Sequence, residues 1–354
     1  MFSYLIKELG FSPESALSAS RYVDFHTPEK PDNVIVFLKN YGFSQTQISS
    51  LVRRYPTVLL SDVKKTILPK LDFLEANFVS RPEIAKIISC FPGILQASLT
   101  RRLMPSYDFF KDLLRSDEKV VFSIKRSGHL LTRNIKKYVA PKIDILRELG
   151  VPYTNIATLF KYEAKAFSMI SLDHFRKLVN EVEEMGFDVT KVNFVVAMRV
   201  LRSMSKSKWE SKVNAYKIWG WSDEEISKAF QRSPWCMGLS EDKITAALDF
   251  CSSKMGLSPS VIAKCPVVLT LSLERRLVPR FSVFQVLLSK GLVQKKIGLS
   301  TLFIVSEMKF LQKFVAPYEK EVPELLKFCS VEQICMQLST RRVYYVHRGP
   351  VSSK

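Results

Sequence analysis

Cys265–Pro279 reads CPVVLTLSLERRLVP, and the chain carries the same frame twice more, as FPGILQASLTRRLMP (Phe91–Pro105) and YPTVLLSDVKKTILP (Tyr55–Pro69). Two prolines thirteen residues apart bound each copy: Pro56, Pro92 and Pro266 open it, and Pro69, Pro105 and Pro279 close it. Leu59, Leu95 and Leu269 follow the opening prolines by three. A basic pair precedes each closing proline, Lys64-Lys65, Arg101-Arg102 and Arg275-Arg276. A fourth copy keeps Leu131, Lys136-Lys137 and Pro141 but has Gly128 in place of the first proline. Self-similarity at a fixed period marks a repeat architecture and decides the fold before any single element does.

Glycines mark the same period independently. Gly10, Gly42, Gly150, Gly186, Gly220, Gly256 and Gly291 each follow an apolar run; Gly42 and Gly150 lie 108 residues apart, three times 36, and the later gaps are 36, 34, 36 and 35. A glycine after a helix-periodic run is the expected left-handed helix stop. A second helix is then predicted from a serine cap, at Ser44, Ser80, Ser222 and Ser258. Pro82 and Pro259 sit in its first turn, where proline is tolerated. It halts before Pro56, Pro92, Pro234 or Pro266, because a residue preceding proline disfavours helical angles. A short third helical piece, SLTRRLMP or SLERRLVP, is predicted to break or kink at the closing proline. The helix that follows carries Leu71 and Leu74 on its buried side.

No stretch alternates with a strand period, so the chain is predicted to be all-α: a solenoid of about eight stacked three-helix units of roughly 35 residues. Residues 1–339 form the repeat domain and 340–354 a basic tail. Between Lys161 and Lys217 both proline slots are empty, and straighter helices are expected there. With 47% hydrophobic residues against 25% charged, the 354-residue chain has material for a continuous core.

The formal charge is +19, from 53 Lys+Arg over 34 Asp+Glu. That excess points to a polyanionic partner, nucleic acid before membrane. No apolar run approaches the ~20 residues of a membrane span. The six cysteines, Cys90, Cys236, Cys251, Cys265, Cys329 and Cys335, include no C-x-x-C pair, so neither a zinc site nor a disulfide framework is indicated. Cys90 and Cys265 read as small buried hydrophobes. His26, His129, His174 and His347 lie far apart, and no phosphate loop or catalytic motif occurs, so no enzyme activity, cofactor or small-molecule substrate is expected. The opening residues, with their acids and Gly-Phe signal, read as folded repeat.

The binding residues expected from this charge are the pairs Lys64, Lys65, Arg101, Arg102, Lys136, Lys137, Arg275 and Arg276, recurring at one phase of the repeat. A central cluster, Arg199, Arg202, Lys206, Lys208 and Lys212, joins them. In stacked repeats one phase becomes a stripe, suited to tracking phosphates. The competing reading is a helix-dipole role, since cations near a helix C-terminus are favourable in any case. Trp209, Trp219, Trp221 and Trp235 could stack bases but read more simply as core.

A proline-framed helical repeat with this P-x-x-L core and dibasic-apolar-Pro ending resembles the mitochondrial transcription termination factor (mTERF) family, more narrowly its land-plant branch. The resemblance implies a left-handed superhelix, import into mitochondria or chloroplasts, and a monomer that binds organellar nucleic acid along a basic path. Double-stranded DNA is the first expectation for the ligand; RNA, in intron splicing or transcript processing, is the alternative, and a protein-interaction scaffold the reading from another class.

Overall fold

In the computed structural model the described residues are 1–77, 79–294 and 297–328, with the backbone alone for 164–168 and 326. The predicted tail 340–354, together with Cys329, Cys335 and His347, lies outside them. The described residues form helices and turns without a strand. No helix among them is long and apolar enough to cross a membrane.

The predicted unit is present. The helix Glu29–Tyr41 ends at Gly42 (φ 115°), Ser44 caps Gln45–Arg54, and a tight turn Pro56–Leu60 follows. The same order recurs through Arg81–Cys90 and Gly93–Gln96, and again through Pro259–Lys264 and Pro266–Thr270. All seven stop glycines have positive φ. Ser44 and Ser222 form reciprocal caps: each hydroxyl accepts the backbone N–H three residues on, and Gln47 or Glu225 accepts the serine N–H in return. Leu59, Leu95, Leu131 and Leu269 are all 1% exposed or less. Each such burial contributes about 2 kcal/mol, which explains why the leucine recurs with the proline.

Repeats pack on their sequence neighbours. The second helices stack in series, Gln45–Arg54 on Arg81–Cys90, that on Asp117–Arg126, and that on Tyr153–Met169. The tight turns do the same, Pro234–Cys236 against Pro266–Thr270 and that against Ser300–Ile304. The chain divides into two compact bodies, Met1–Glu184 with Asp188–Val195, and Met185–Phe187 with the chain from Val196 onward.

Three expectations need correction. The dibasic segment does not end a unit. Leu99–Leu103 and Leu273–Leu277 are single π-helical turns running without a break into Met104–Leu114 and Val278–Ser289. Pro105 has no N–H for the Arg101 carbonyl, so the ladder of i→i−4 bonds is interrupted and the turn widens, Met104 donating to Leu99 instead. The central helices are not uniformly straighter. Val192–Arg202 passes unbroken through the phase of the missing proline, but Tyr153–Met169 is kinked at Glu163 (φ −123°, ψ 27°), the phase at which Tyr55, Phe91, Ser127, Ser233 and Cys265 leave the helix elsewhere. The break therefore belongs to the stack as well as to the proline. Carbonyls exposed at it take donors from the preceding repeat: Arg54 Nη1 reaches Cys90 O at 2.7 Å and Ser123 Oγ reaches Lys161 O at 3.5 Å. Lastly, Cys90 is exposed and Cys265 half-buried, because each ends its helix at the rim of the break; Cys236 and Cys251 are the buried thiols.

Gly128 also has a physical reason. A Cβ there would lie 2.7 Å from the Phe91 ring, so a proline in the slot would force Phe91 to move.

Candidate nucleic-acid interface

Each dibasic turn is held by one polar cap. The side chains of Asp62, Ser98 and Asn134 accept the N–H groups of Lys65, Arg101 and Lys137, and Ser272 accepts that of Arg275. The same cap recurs where the sequence shows no basic pair: Ser171 to His174, Ser205 to Lys208, Ser240 to Lys243 and Ser306 to Lys309. A basic residue thus stands three residues after the cap in each of these eight turns. The N-terminal body carries Lys65, Arg101, Lys137 and His174 at this phase; the C-terminal body carries Lys208, Lys243, Arg275 and Lys309. His174, Lys243 and Lys309 were missed because each stands without a basic neighbour. The recurring Ser with a basic residue three on was the available signal.

These cations lie in the opening turn of a helix, which for Lys137 is the four-residue Ile135–Tyr138. Positive charge there opposes the helix dipole, so the explanation by favourable C-terminal placement does not apply. Lys64, Lys65, Arg101, Lys136, Lys137 and Arg275 are exposed. Arg101, Arg102, Arg133 and Lys136 surround one cavity of about 810 Å³, between one dibasic turn and the cap of the next. No carboxylate lines it.

Other predicted residues are already engaged. Arg276 Nε donates to Phe303 O at 2.9 Å, and its Nη2 to Val305 O at 2.6 Å. Lys212 Nζ donates to Leu239 O. Arg199 stacks over the Trp235 ring at 4.8 Å. Arg202, Lys206 and Lys208 are exposed, so the central cluster splits among different tasks. The tryptophans divide too. Trp221 is buried, Trp209 and Trp219 are half-buried, and Trp235 is 43% exposed.

The mTERF family profile matches residues 35–250 and 198–311. The chain belongs to the mTERF family. Over 224 residues it is 25% identical to the transcription termination factor MTERF15, mitochondrial, of Arabidopsis thaliana, a match covering 54% of this chain and 50% of that protein. The chain thus spans about half the length of this relative.

The mTERF repeats are joined by a second set of cations that sequence reasoning also missed. Lys70, Lys142 and Arg280 directly follow the closing prolines and are 7%, 2% and 2% exposed. Each reaches carbonyls at the end of the next repeat's short helical segment: Lys70 Nζ to Leu95 O, Lys142 Nζ to Ile170 O at 2.6 Å, and Arg280 Nη1 to the carbonyls of Leu302, Phe303 and Val305 at 3.2, 3.1 and 2.9 Å. Arg280 also pairs with Glu307 at 2.7 Å. Burial pushes the Lys70 and Lys142 ammonium groups down, Lys142 to about 8 with Arg133 adding repulsion. A Pro-Lys or Pro-Arg dipeptide closing the frame was the signal for these staples.

Proposed function

We propose that this mTERF chain binds organellar nucleic acid through the exposed Lys and Arg residues of the capped turns, Lys243 excepted because its Nζ is held by Thr270 O at 3.0 Å, and that it thereby regulates transcription termination or organellar gene expression in mitochondria. The observation that carries this reading is the repeated placement of Lys or Arg against the helix dipole, a cost that phosphate binding offsets. Membership of the family and the name of the Arabidopsis relative support this process and this compartment. Duplex DNA is the first ligand, since evenly phased cations on stacked repeats suit a regular backbone. The chain acts as a binding protein, without catalysis.

A second reading, RNA bound in a single-stranded region, is favoured by Trp235, whose exposed ring beside Arg199 offers a stacking platform. Fluorescence anisotropy with one organellar sequence as duplex DNA, single-stranded DNA and single-stranded RNA separates the two. Tightest binding to the duplex supports the first; RNA preference weakened several-fold by Trp235→Ala supports the second. Failure to bind any of the three at ~150 mM salt leaves a protein scaffold.

A further inference from the structure

The frame that closes with Pro105 lacks its staple. Ser106 occupies the position of Lys70, Lys142 and Arg280, one residue past the closing proline, and is 2% exposed. Where the long side chains reach across to the next repeat, serine cannot, and Ser106 instead lines the cavity of about 810 Å³. Its lining places Arg101 and Arg102 from the dibasic turn opposite Arg133 and Lys136 of the following repeat. Phe109, Pro105 and Ile135 supply apolar wall.

Four cations and no carboxylate around one cavity exceed what a single phosphodiester, with one negative charge, neutralises. A polyphosphate carries enough charge, and arginine forks can hold its oxygens in pairs. The volume lies within the range of small-ligand sites, about 300–1,000 Å³, with room for an attached nucleoside against Phe109. We infer that this cavity binds the polyphosphate of a nucleoside triphosphate, a chemistry shared by the free nucleotide and by the 5′-triphosphate end of an unprocessed transcript. The site goes beyond internal backbone binding, although Arg101 and Lys136 serve both.

The full chain is titrated with ATP, AMP, tripolyphosphate, and one RNA bearing either a 5′-triphosphate or a 5′-hydroxyl, beside duplex DNA with blunt hydroxyl ends. ATP and tripolyphosphate are expected to bind at least about tenfold tighter than AMP, a factor within reach of the added charge. A tenfold advantage of the triphosphorylated RNA over its 5′-hydroxyl form points to transcript ends; ATP binding without that advantage points to the free nucleotide. Arg133→Gln removes one cation from the lining at a position outside the dibasic pairs: it should weaken tripolyphosphate binding about threefold or more and leave duplex binding intact. Lys136→Glu, an exposed rim substitution, should weaken tripolyphosphate about threefold or more, while Lys64→Glu, at the same phase but outside the cavity, should not. Equal affinity for AMP and ATP, or unchanged tripolyphosphate binding in both Arg133→Gln and Lys136→Glu, overturns the site. Loss of duplex binding with retained tripolyphosphate binding would count against the proposed function alone.

Discussion

Arg115 ends the helix Met104–Leu114 in the left-handed conformation (φ 53°) that the other stops assign to glycine. A non-glycine residue there is strained by ~1–2 kcal/mol. Replacing it with glycine removes that strain but adds ~0.5–1 kcal/mol of unfolded-state entropy and forfeits the stacking of its guanidinium on Tyr153 at 5.8 Å. Arg115→Gly should therefore change stability by less than ~1 kcal/mol, whereas Arg115→Val, β-branched in the same conformation, should lose ~1–2 kcal/mol by urea unfolding. Lys142 gives a pH signature. Its folded pKa is pushed down to about 8, while the unfolded chain titrates near ~10.4. Between those values the unfolded state holds a proton the folded state has released, so stability rises with pH across that window. Relative to Lys142→Met, the wild-type urea midpoint should climb from pH 8 to pH 10; parallel profiles would show that the buried ammonium does not titrate there. The seven glycine stops were legible in the sequence because glycine is the residue that takes positive φ without strain. Arg115 was not, since nothing local distinguishes an arginine held in that conformation by its neighbours.

At the level of elements, the caps, the glycine stops and the proline breaks are local chemistry, and the sequence carried them. The π turns, the kink at Glu163 and the carbonyl staples are not local. They depend on what the adjacent repeat presents, and only a stacked structure brings Arg280 to carbonyls more than twenty residues away. The same distinction divides the arginines of one dibasic turn. Arg280→Met removes the donor to Leu302 O, one of two donors to each of Phe303 O and Val305 O, and the ion pair with Glu307, and should destabilise by ~3 kcal/mol or more. Arg276→Ala, losing bonds to Phe303, Ile304 and Val305, should cost ~1–3 kcal/mol. Arg275→Ala, exposed beside it, should stay within ~0.5 kcal/mol. Thermal unfolding of the three variants checks the order, and equal losses would contradict the division between staple and surface cation. Gly128 belongs to this scale as well: its departure from the proline frame looks like decay in the sequence and leaves room for the Phe91 ring in the structure.

For the whole molecule, the all-α repeat was readable from spacing alone, because a stacked repeat writes its period many times over; the family entered through the resemblance of the proline frame. The exposed cations were half readable. The basic pairs marked capped turns, but charge in a sequence does not separate a cation turned to solvent from one spent on the next repeat, and that separation removes Arg276 and Lys212 from the exposed set while adding Lys309. What remains is a row of exposed cations within each body, and its role in phosphate binding is the central claim. The most direct measurement is the salt dependence of duplex DNA binding for wild type and for a variant combining Lys64→Glu, Lys65→Glu, Arg101→Glu, Lys136→Glu and Lys137→Glu, each an exposed position. If these cations neutralise phosphates, affinity falls and the slope of log K against log salt shallows by roughly 0.9 for every phosphate left without its cation, up to about 4.5 for all five. An unchanged slope and affinity in a variant with the wild-type melting temperature would contradict the claim.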